Sequence, residues 1–447
     1  MWSQFIKTDL YPLLKLVLPL ILTGMVSSSI PFFETVFLAH LSQEALAAGA
    51  LVSWLLGAFV VIMLGTLSAL NILISHKYGA QDESGIALVI RDGLLLAVLF
   101  SAPAFLFFWN IAPILLLFGQ KPQVVALATL YFHALAWGLL PNLIREATLQ
   151  IIIGLGHTRV VIVFTIFTVV IALFFSYALI FGKFGMPALG ISGAGWGTTI
   201  GFWITAMVLM VYVLRHSGYQ RYFRHLFSRK KPSFFWELLR IGLPMGVMYC
   251  FEVGFFFALT LVMGSMSETL MAANQIALQY MGMLMTVIFR IAQAITVRMG
   301  HLIGARKLAA AERVVYAGLF ISTVLMTVFA CIDCFYPNIL ISIDIDVYAP
   351  ANFVLVTYVK QLFLVAALFQ LLEACRISLF GALRALKDTH FTLISSVICF
   401  WGVAFPVGYW LTYRFQLGGP GMWWGMSFGA GLSSLVLFMR FRVKMRS

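Results

Sequence analysis

One carboxylate, Glu252, lies well inside an apolar run long enough to span a bilayer, in the stretch Gly242-Leu-Pro-Met-Gly-Val-Met-Tyr-Cys-Phe-Glu-Val-Gly-Phe-Phe256. An ionisable group held in hydrocarbon costs about 2.5 kcal/mol or more, so it carries a functional hypothesis and calls for a partner. A few other charges sit in comparable runs. Glu373 and Arg376 are three apart, on one face of a helix. Arg290 belongs to the apolar run that follows that of Glu252, with which it could pair, and it is expected within salt-bridge reach of Glu252 or Glu373. Arg145 and Glu146 are adjacent, diverge around a helix, and read as packing charges. Two chemistries fit this set. The carboxylates form fixed struts with arginine, or they exchange an arginine, a proton and a cationic substrate as partners. Burial favours the protonated acid and a nearby guanidinium the ionised one, so a moving arginine toggles proton affinity.

The composition says what must position these charges. Of 447 residues, 62% are hydrophobic and 10% charged, with mean hydropathy +1.00. Ordinary soluble domains carry about 25% charge, so this is a polytopic membrane protein. The net charge of +13 resides in short loops between apolar runs, as a positive-inside topology requires, and nucleic acid is not an expected partner. The first apolar run, from Leu13, continues too long for the core of a cleavable signal.

Hydropathy predicts twelve helical spans, near 13–38, 48–76, 90–117, 125–152, 158–182, 193–215, 236–263, 272–300, 313–335, 350–383, 389–413 and 419–440. One side holds Lys77, Arg91, Arg159, Arg306, Lys307, Arg313, Lys387, the tail from Arg440 and the loop 216–235. The other shows only Lys121, Lys183 and Arg414. Both termini and the central loop are therefore expected in the cytoplasm, with the chain in the plasma or inner membrane. The expected organisation is 1–215 and 236–447, six spans each, joined by the basic linker 216–235.

The halves repeat. Leu18-Pro19 matches Leu243-Pro244, Gly79-Ala80 matches Gly304-Ala305, and Gly93 matches Gly318, all at an offset of 225 residues. The pattern Gly190-x-x-Gly193-x-x-Trp196-Gly197 returns as Gly418-x-x-Gly421-x-x-Trp424-Gly425. Six spans is an even number, so both halves enter the membrane from the same side, and their rocking about a shared cavity is a usual geometry of alternating access. Each glycine also has a plainer role in close helix approach.

Several stretches, in this order, carry a resemblance: Phe33-Glu-Thr-Val-Phe-Leu-Ala-His-Leu41, Leu70–Ala80, Leu179–Gly190, Ile241-Gly-Leu-Pro244 with Phe251-Glu252, Ala272-Ala-Asn-Gln-Ile-Ala277, Thr296-Val-Arg-Met-Gly300 and Gly381–Thr389. The chain resembles the multidrug and toxic compound extrusion (MATE) family of cation-coupled antiporters from about Leu16 to Trp424. The resemblance implies an all-α integral membrane fold, twelve transmembrane helices in two pseudo-symmetric six-helix lobes forming a V. It also implies export of organic, often cationic, drugs or metabolites in exchange for H+ or Na+. It places the family's coupling acids at Glu34, after a kink expected at Pro31, at Glu252, and at Glu373 in Gln370-Leu-Leu-Glu373. Two polar positions of the fifth span are here Ala172 and Ser176, which leaves fewer oxygen ligands for sodium and favours H+. Arg290 replaces a small residue of the family. With Gln275, Tyr249, Phe251 and Phe255 it is a candidate for substrate contact, the aromatics by cation–π attraction.

Other features rank lower. Cys331-Ile-Asp-Cys334 has the spacing of a redox pair, but free cysteines in apolar helices are common packing residues. Walker-type phosphate loops are absent, so ATP is not the expected energy source. No nucleophile–base pair or His/Glu metal cluster marks an intramembrane enzyme. Expected cofactors and metals are none, and the expected state is a monomer working on small organic substrates in lipid. The alternative within the same superfamily is a flippase of a lipid-linked precursor, which would need a strongly cationic cavity; Arg145, Arg290 and Arg376 speak for it.

Overall fold

The computed structural model describes residues 6–223 and 234–446; half of the basic linker, including Arg224, Arg229, Lys230 and Lys231, lies outside the described residues. Among those described, every regular element is helical, the only open-chain way to satisfy backbone amides within lipid. Twelve helices are long and apolar enough to cross a membrane. They are α1 (Thr8–Ala39), α2 (Gln43–Gly79), α3 (Glu83–Trp109), α4 (Pro122–Gly154), α5 (Thr158–Phe181), α6 (Ile191–Arg215), α7 (Phe235–Met266), α8 (Glu268–Gly304), α9 (Leu308–Phe335), α10 (Pro350–Ala385), α11 (Thr389–Tyr413) and α12 (Gly419–Arg446).

The expected third span, 90–117, is divided. Helix α3 stops at Trp109, and a short helix, Ala112–Leu117, follows. Asn110 turns its side-chain amide back onto the Leu106 carbonyl (2.9 Å), and Pro113, which has no N–H to continue a ladder, opens the next helix.

Prolines shape two of the helices that aim functional side chains. In α1 the helix is interrupted at Ser28, three residues before Pro31. The Ser27 and Ser28 hydroxyls both donate to the Gly24 carbonyl (2.9 and 3.0 Å), and Glu34 follows between one and two turns past the break. In α11 the segment Ile398–Ala404 widens to a π-helix immediately before Pro406. The proline lacks an N–H and crowds the carbonyl four residues back, and a wider turn relieves both.

The 225-residue offset is also visible in the backbone. Ser42 and Ser267, 225 apart, are extended N-caps of α2 and α8 whose hydroxyls accept from Ala45 N and Leu270 N (3.0 and 3.4 Å). Gln81 and Arg306, at the same offset, both adopt a left-handed conformation, with φ 57 and 58°. The repeated glycine motif is a packing device. Gly197 faces the Ser176 backbone of α5 and Gly425 faces Gly408 of α11, so a Cβ at either would collide with a neighbouring helix.

Two compact units emerge, and each boundary falls inside a helix. One unit is Leu18–Gly246; the other begins again at Val247 and includes Val17 and the described residues before it. The boundaries adjoin the paired Pro19 and Pro244. The expected division at 215 and 236 follows the chain connection, whereas these units follow contact. In the first unit α4 is central, packed on α2, α3 and α6. In the second α10 is central, packed on α8, α9 and α12.

Acids tie down many of the basic residues at helix ends. Lys77 pairs with Asp82 (2.8 Å), Arg221 with Glu83 (2.6 Å), Arg313 with Asp9 (3.1 Å), Arg440 with Asp388 (2.8 Å) and Arg442 with Glu312 (2.8 Å). The buried Asp92 accepts the Phe234 backbone N–H (2.7 Å) and so fixes the start of α7 on α3.

Candidate functional site

The strongest polar cluster lies in the second unit, where α7, α10 and α11 meet. Arg376 is 2% exposed and holds two carboxylates at once. Its Nε donates to Glu373 Oε2 (2.7 Å) and its Nη2 to Glu373 Oε1, a bidentate fork across one helical turn. Its Nη1 donates to Glu252 Oε1 (2.8 Å), which also accepts from the Ser396 hydroxyl (3.1 Å). The rings of Phe380 and Phe400 lie 4.5 and 4.7 Å from the guanidinium carbon, and the second is turned inward by the π-helical segment of α11. Among the described residues no other basic group comes within 4 Å of either glutamate. One positive charge therefore faces two carboxylates.

Arg290 was expected within salt-bridge reach of Glu252 or Glu373, and this is corrected, since Arg376 pairs with both. Arg290 donates to Gln293 on its own helix (3.1 Å), while Arg376 takes Glu252. The reason is geometric. Glu373 already fixes the Arg376 fork on one face of α10, and the remaining N–H groups point across to α7, so a single planar guanidinium satisfies both acids.

The tentative substrate residues separate. Tyr249 is half-buried, edge-on to Phe289 (5.5 Å), with the Arg384 guanidinium 5.2 Å from its ring centroid. Phe251 is exposed, and its carbonyl accepts from Trp401 Nε1 (3.1 Å). Phe255 was expected at a cavity wall but is 1% exposed, packed edge-on to Phe400 (5.1 Å) and Trp401 (6.1 Å). It supports Phe400, which covers Arg376. Gln275 is exposed, and some 15 residues, or about 22 Å of helix rise, separate it from Arg290.

In the first unit Glu34 has neutral partners. Thr198 of α6 donates to Oε1, and Tyr131 of α4 donates to Oε2 (3.0 Å). No basic side chain lies within 4 Å of Glu34 among the described residues. Arg145 is instead engaged by Asn142 (2.8 Å) and Glu146 (2.5 Å) and lies over Phe202 (5.2 Å). Ala172 and Ser176 are fully buried at the α5–α6 contact, where Ser176 donates to the Ala194 carbonyl (3.3 Å).

Sequence reasoning missed Ser396, Tyr131 and Thr198, hydroxyls whose only signal was a polar residue within an apolar run. It also left Gln370 and Asp333 without a role; they are joined at 2.8 Å. Cys331 and Cys334 are exposed free thiols. An apolar cavity of about 820 Å³ lies among α10, α11 and α12, lined by residues such as Leu368, Leu372, Val407, Trp424 and Phe428. Its lining includes no ionisable side chain, so it is not this site.

Comparison with known proteins agrees with the fold. The MatE family model matches residues 19–178 and 244–410. The chain is 33% identical over 440 residues to a probable multidrug resistance protein NorM of Pseudomonas putida, covering 98% of this chain and 95% of that one. It is 30% identical to the multidrug resistance protein NorM of Burkholderia vietnamiensis, over 97% and 93% of the two chains. Two solved structures share the fold at 17% identity. One is an outward-facing multidrug resistance MATE family transporter (TM-score 0.88, covering 99% and 97%), the other a MOP superfamily transporter from Pyrococcus furiosus (TM-score 0.86, 99% and 97%). The chain belongs to the MatE family. It is a multi-pass membrane transporter with an all-helical fold.

Proposed function

We propose that this transporter exports organic, often cationic, compounds in exchange for protons, by alternating access of two lobes, 1–215 and 236–447. Both termini and the linker 216–235 lie on the cytoplasmic side. The observation that carries the reading is the charge at Arg376. Two buried carboxylates share one guanidinium, so full ionisation leaves one negative charge to be balanced in a place where unbalanced charge is costly. A proton can supply that balance, and so can a cationic substrate, and the two then compete. A proton entering from outside neutralises Glu252 or Glu373 and releases the substrate outward; reciprocally, bound substrate lowers the site's affinity for the proton. Glu34, held by two hydroxyls, is a secondary proton site. Sodium is the weaker candidate because it needs several well-placed oxygens, and positions 172 and 176 are packed into a helix contact. The relatives named as multidrug resistance proteins support drug-like substrates.

The flippase alternative asks for free cationic groups, and Arg376 is instead saturated by carboxylates. The test is transport by purified full-length protein in liposomes, with pH and sodium gradients imposed separately. The expected result is export driven by the pH gradient and abolished in Glu252→Gln and Glu373→Gln. Proton-driven export unchanged in both variants, or export driven only by sodium in the parent, overturns the proposal.

A further inference from the structure

The coupling scheme leaves one buried acid of the second unit without a task. Asp333 is 7% exposed and sits two residues before the end of α9. Its Oδ2 accepts from Gln370 Nε2 at 2.8 Å. Unlike Glu252 and Glu373, it has a neutral partner. Among the described residues no basic side chain lies within 4 Å of it. The groups on the elements packed around it are few. Its own helix brings the exposed Cys331 and Cys334. Helix α10 brings Gln370 and, one turn deeper, Glu373. The short helix Pro337–Asp344 carries Asp344, which accepts from Tyr280 (2.8 Å) and Gln279 (3.3 Å) of α8.

Gln370, Glu373 and Arg376 follow at steps of three along α10, so each is a neighbour of the next on the helix surface. Asp333 thus bonds to the residue one turn from Glu373, and Glu373 in turn is joined through Arg376 to Glu252 of α7. An amide suits a carboxyl that changes protonation. Its N–H donates to the carboxylate, and after a half-turn its C=O accepts from the carboxylic acid.

We propose that Asp333 is the outer proton-relay residue of the transporter, loaded from the side opposite the cytoplasm, with Gln370 positioning it against Glu373. This rests on the proton-coupled reading above. Loading forms an O–H bond on Asp333 and breaks one in a hydronium ion or water on the outer side. Unloading returns the proton to the path that ends at Glu373, with no net change in Asp333 over a cycle.

The test uses the full-length protein and two readouts. Infrared titration of purified parent and Asp333→Asn in deuterated detergent buffer follows the carboxylic-acid carbonyl band. Liposome transport at a fixed inside pH and stepped outside pH gives the pH profile. Asparagine is isosteric and keeps the contact to Gln370, and Asp333→Glu restores an acid. The expected result is a carboxylic-acid band lost in Asp333→Asn, shifted in Gln370→Leu and present in Asp333→Glu. Proton-driven export should fall about tenfold in Asp333→Asn, with a flatter dependence on outside pH, and recover in Asp333→Glu. A band or an outside-pH profile unchanged in Asp333→Asn, in a parent driven by protons, overturns the relay alone. Export driven by sodium alone in the parent overturns the coupling scheme and the relay with it.

Discussion

The central helices of the two units, α4 and α10, each carry a buried arginine, and their surroundings differ. Arg145 and Arg376 are 231 residues apart, the spacing that also separates the left-handed Gly156 and Lys387 at the ends of these helices. Each arginine donates to the side chain three residues before it. In α4 that residue is Asn142; in α10 it is Glu373. The second acid differs as well. Arg145 has its sequence neighbour Glu146, whose side chain is 22% exposed, whereas Arg376 reaches across to Glu252 on another helix. In the first unit Glu34 also bridges helices, and it is held by hydroxyls without a cation. A common scaffold thus supports a local, partly exposed pair in one unit and a buried, over-acidic triad in the other. The difference teaches that the repeat sets where an arginine can stand, and one residue a turn away decides whether it is structural or poised for exchange.

The comparison breaks most visibly at the arginines. Arg376→Gln leaves two buried carboxylates facing each other without a cation, and removal of one partner from a buried ion pair costs about 3–5 kcal/mol. Arg145→Gln keeps an amide for Asn142 and leaves Glu146 partly solvated, so its cost should be about 1 kcal/mol. Thermal unfolding of both variants in one detergent, followed by tryptophan fluorescence, checks the ranking. Equal losses would mean that the two helices are energetically alike.

Arg376→Lys sharpens the same point on function. A lysine keeps the charge and loses the planar fork, so it cannot serve Glu373 bidentately and still reach Glu252. Proton-driven export in liposomes should fall by about tenfold or more, since misplacement by a fraction of an ångström is costly at such sites, while Arg145→Lys stays close to the parent.

Glu34→Gln comes next. Thr198 and Tyr131 can both still donate to an amide oxygen or turn to meet its NH2, so the loss is that of charge-assisted hydrogen bonds, about 1–2 kcal/mol. Proton-driven export should persist at a reduced rate, against its abolition in Glu252→Gln. A Glu34→Gln variant as inactive as Glu252→Gln would make the first unit an equal partner in coupling.

Much of this arrangement was legible in the sequence. Twelve spans followed from apolar length, because lipid forces helix. Glu252, Glu373 and the Glu373–Arg376 pair followed from charges in apolar runs and from i,i+3 spacing. The choice of Arg376 over Arg290 for Glu252 was not legible. It depends on the rotation of α7 and α10 about their axes, which hydropathy leaves free when a helix is apolar all round. The burial of Phe255 escaped for a related reason. The wide turn before Pro406 brings Phe400 and Trp401 onto it, and a π-helix leaves no mark in the residue pattern beyond that proline. The division of the third span was signalled by Asn110 and Pro113, but the hydropathy of 112–117 masked it.

The smallest effect separates the two repeats at a helix cap. Asp82 caps α3 by accepting the Gly85 N–H (2.8 Å), and Lys77 donates to it (2.8 Å). The Lys77 hydrogen bond, with that from Gly85 next, holds this carboxyl below the usual carboxylate range. The equivalent residue 225 further on is Lys307, whose side chain makes no cap to α9. A carboxyl favoured in its ionised form by folding stabilises the fold at pH above its unfolded range and ceases to do so as pH falls through its lowered folded value. Asp82→Asn keeps a capping oxygen and loses the charge, so its deficit should be below about 1 kcal/mol, reduced by the third of the side chain open to solvent. That deficit should be present near neutral pH and vanish in acid. Lys307→Asp is the opposite change. It installs a cap opposite the Ala310 N–H in a backbone of similar conformation, and a gain of about 0.5 kcal/mol is expected. Thermal unfolding of both variants between neutral and acid pH decides. A deficit of Asp82→Asn that persists unchanged in acid would show that the contact with Lys77 contributes through packing and not through charge. A Lys307→Asp variant less stable than the parent would show that the two repeats, alike in backbone at this turn, differ in what their caps must satisfy.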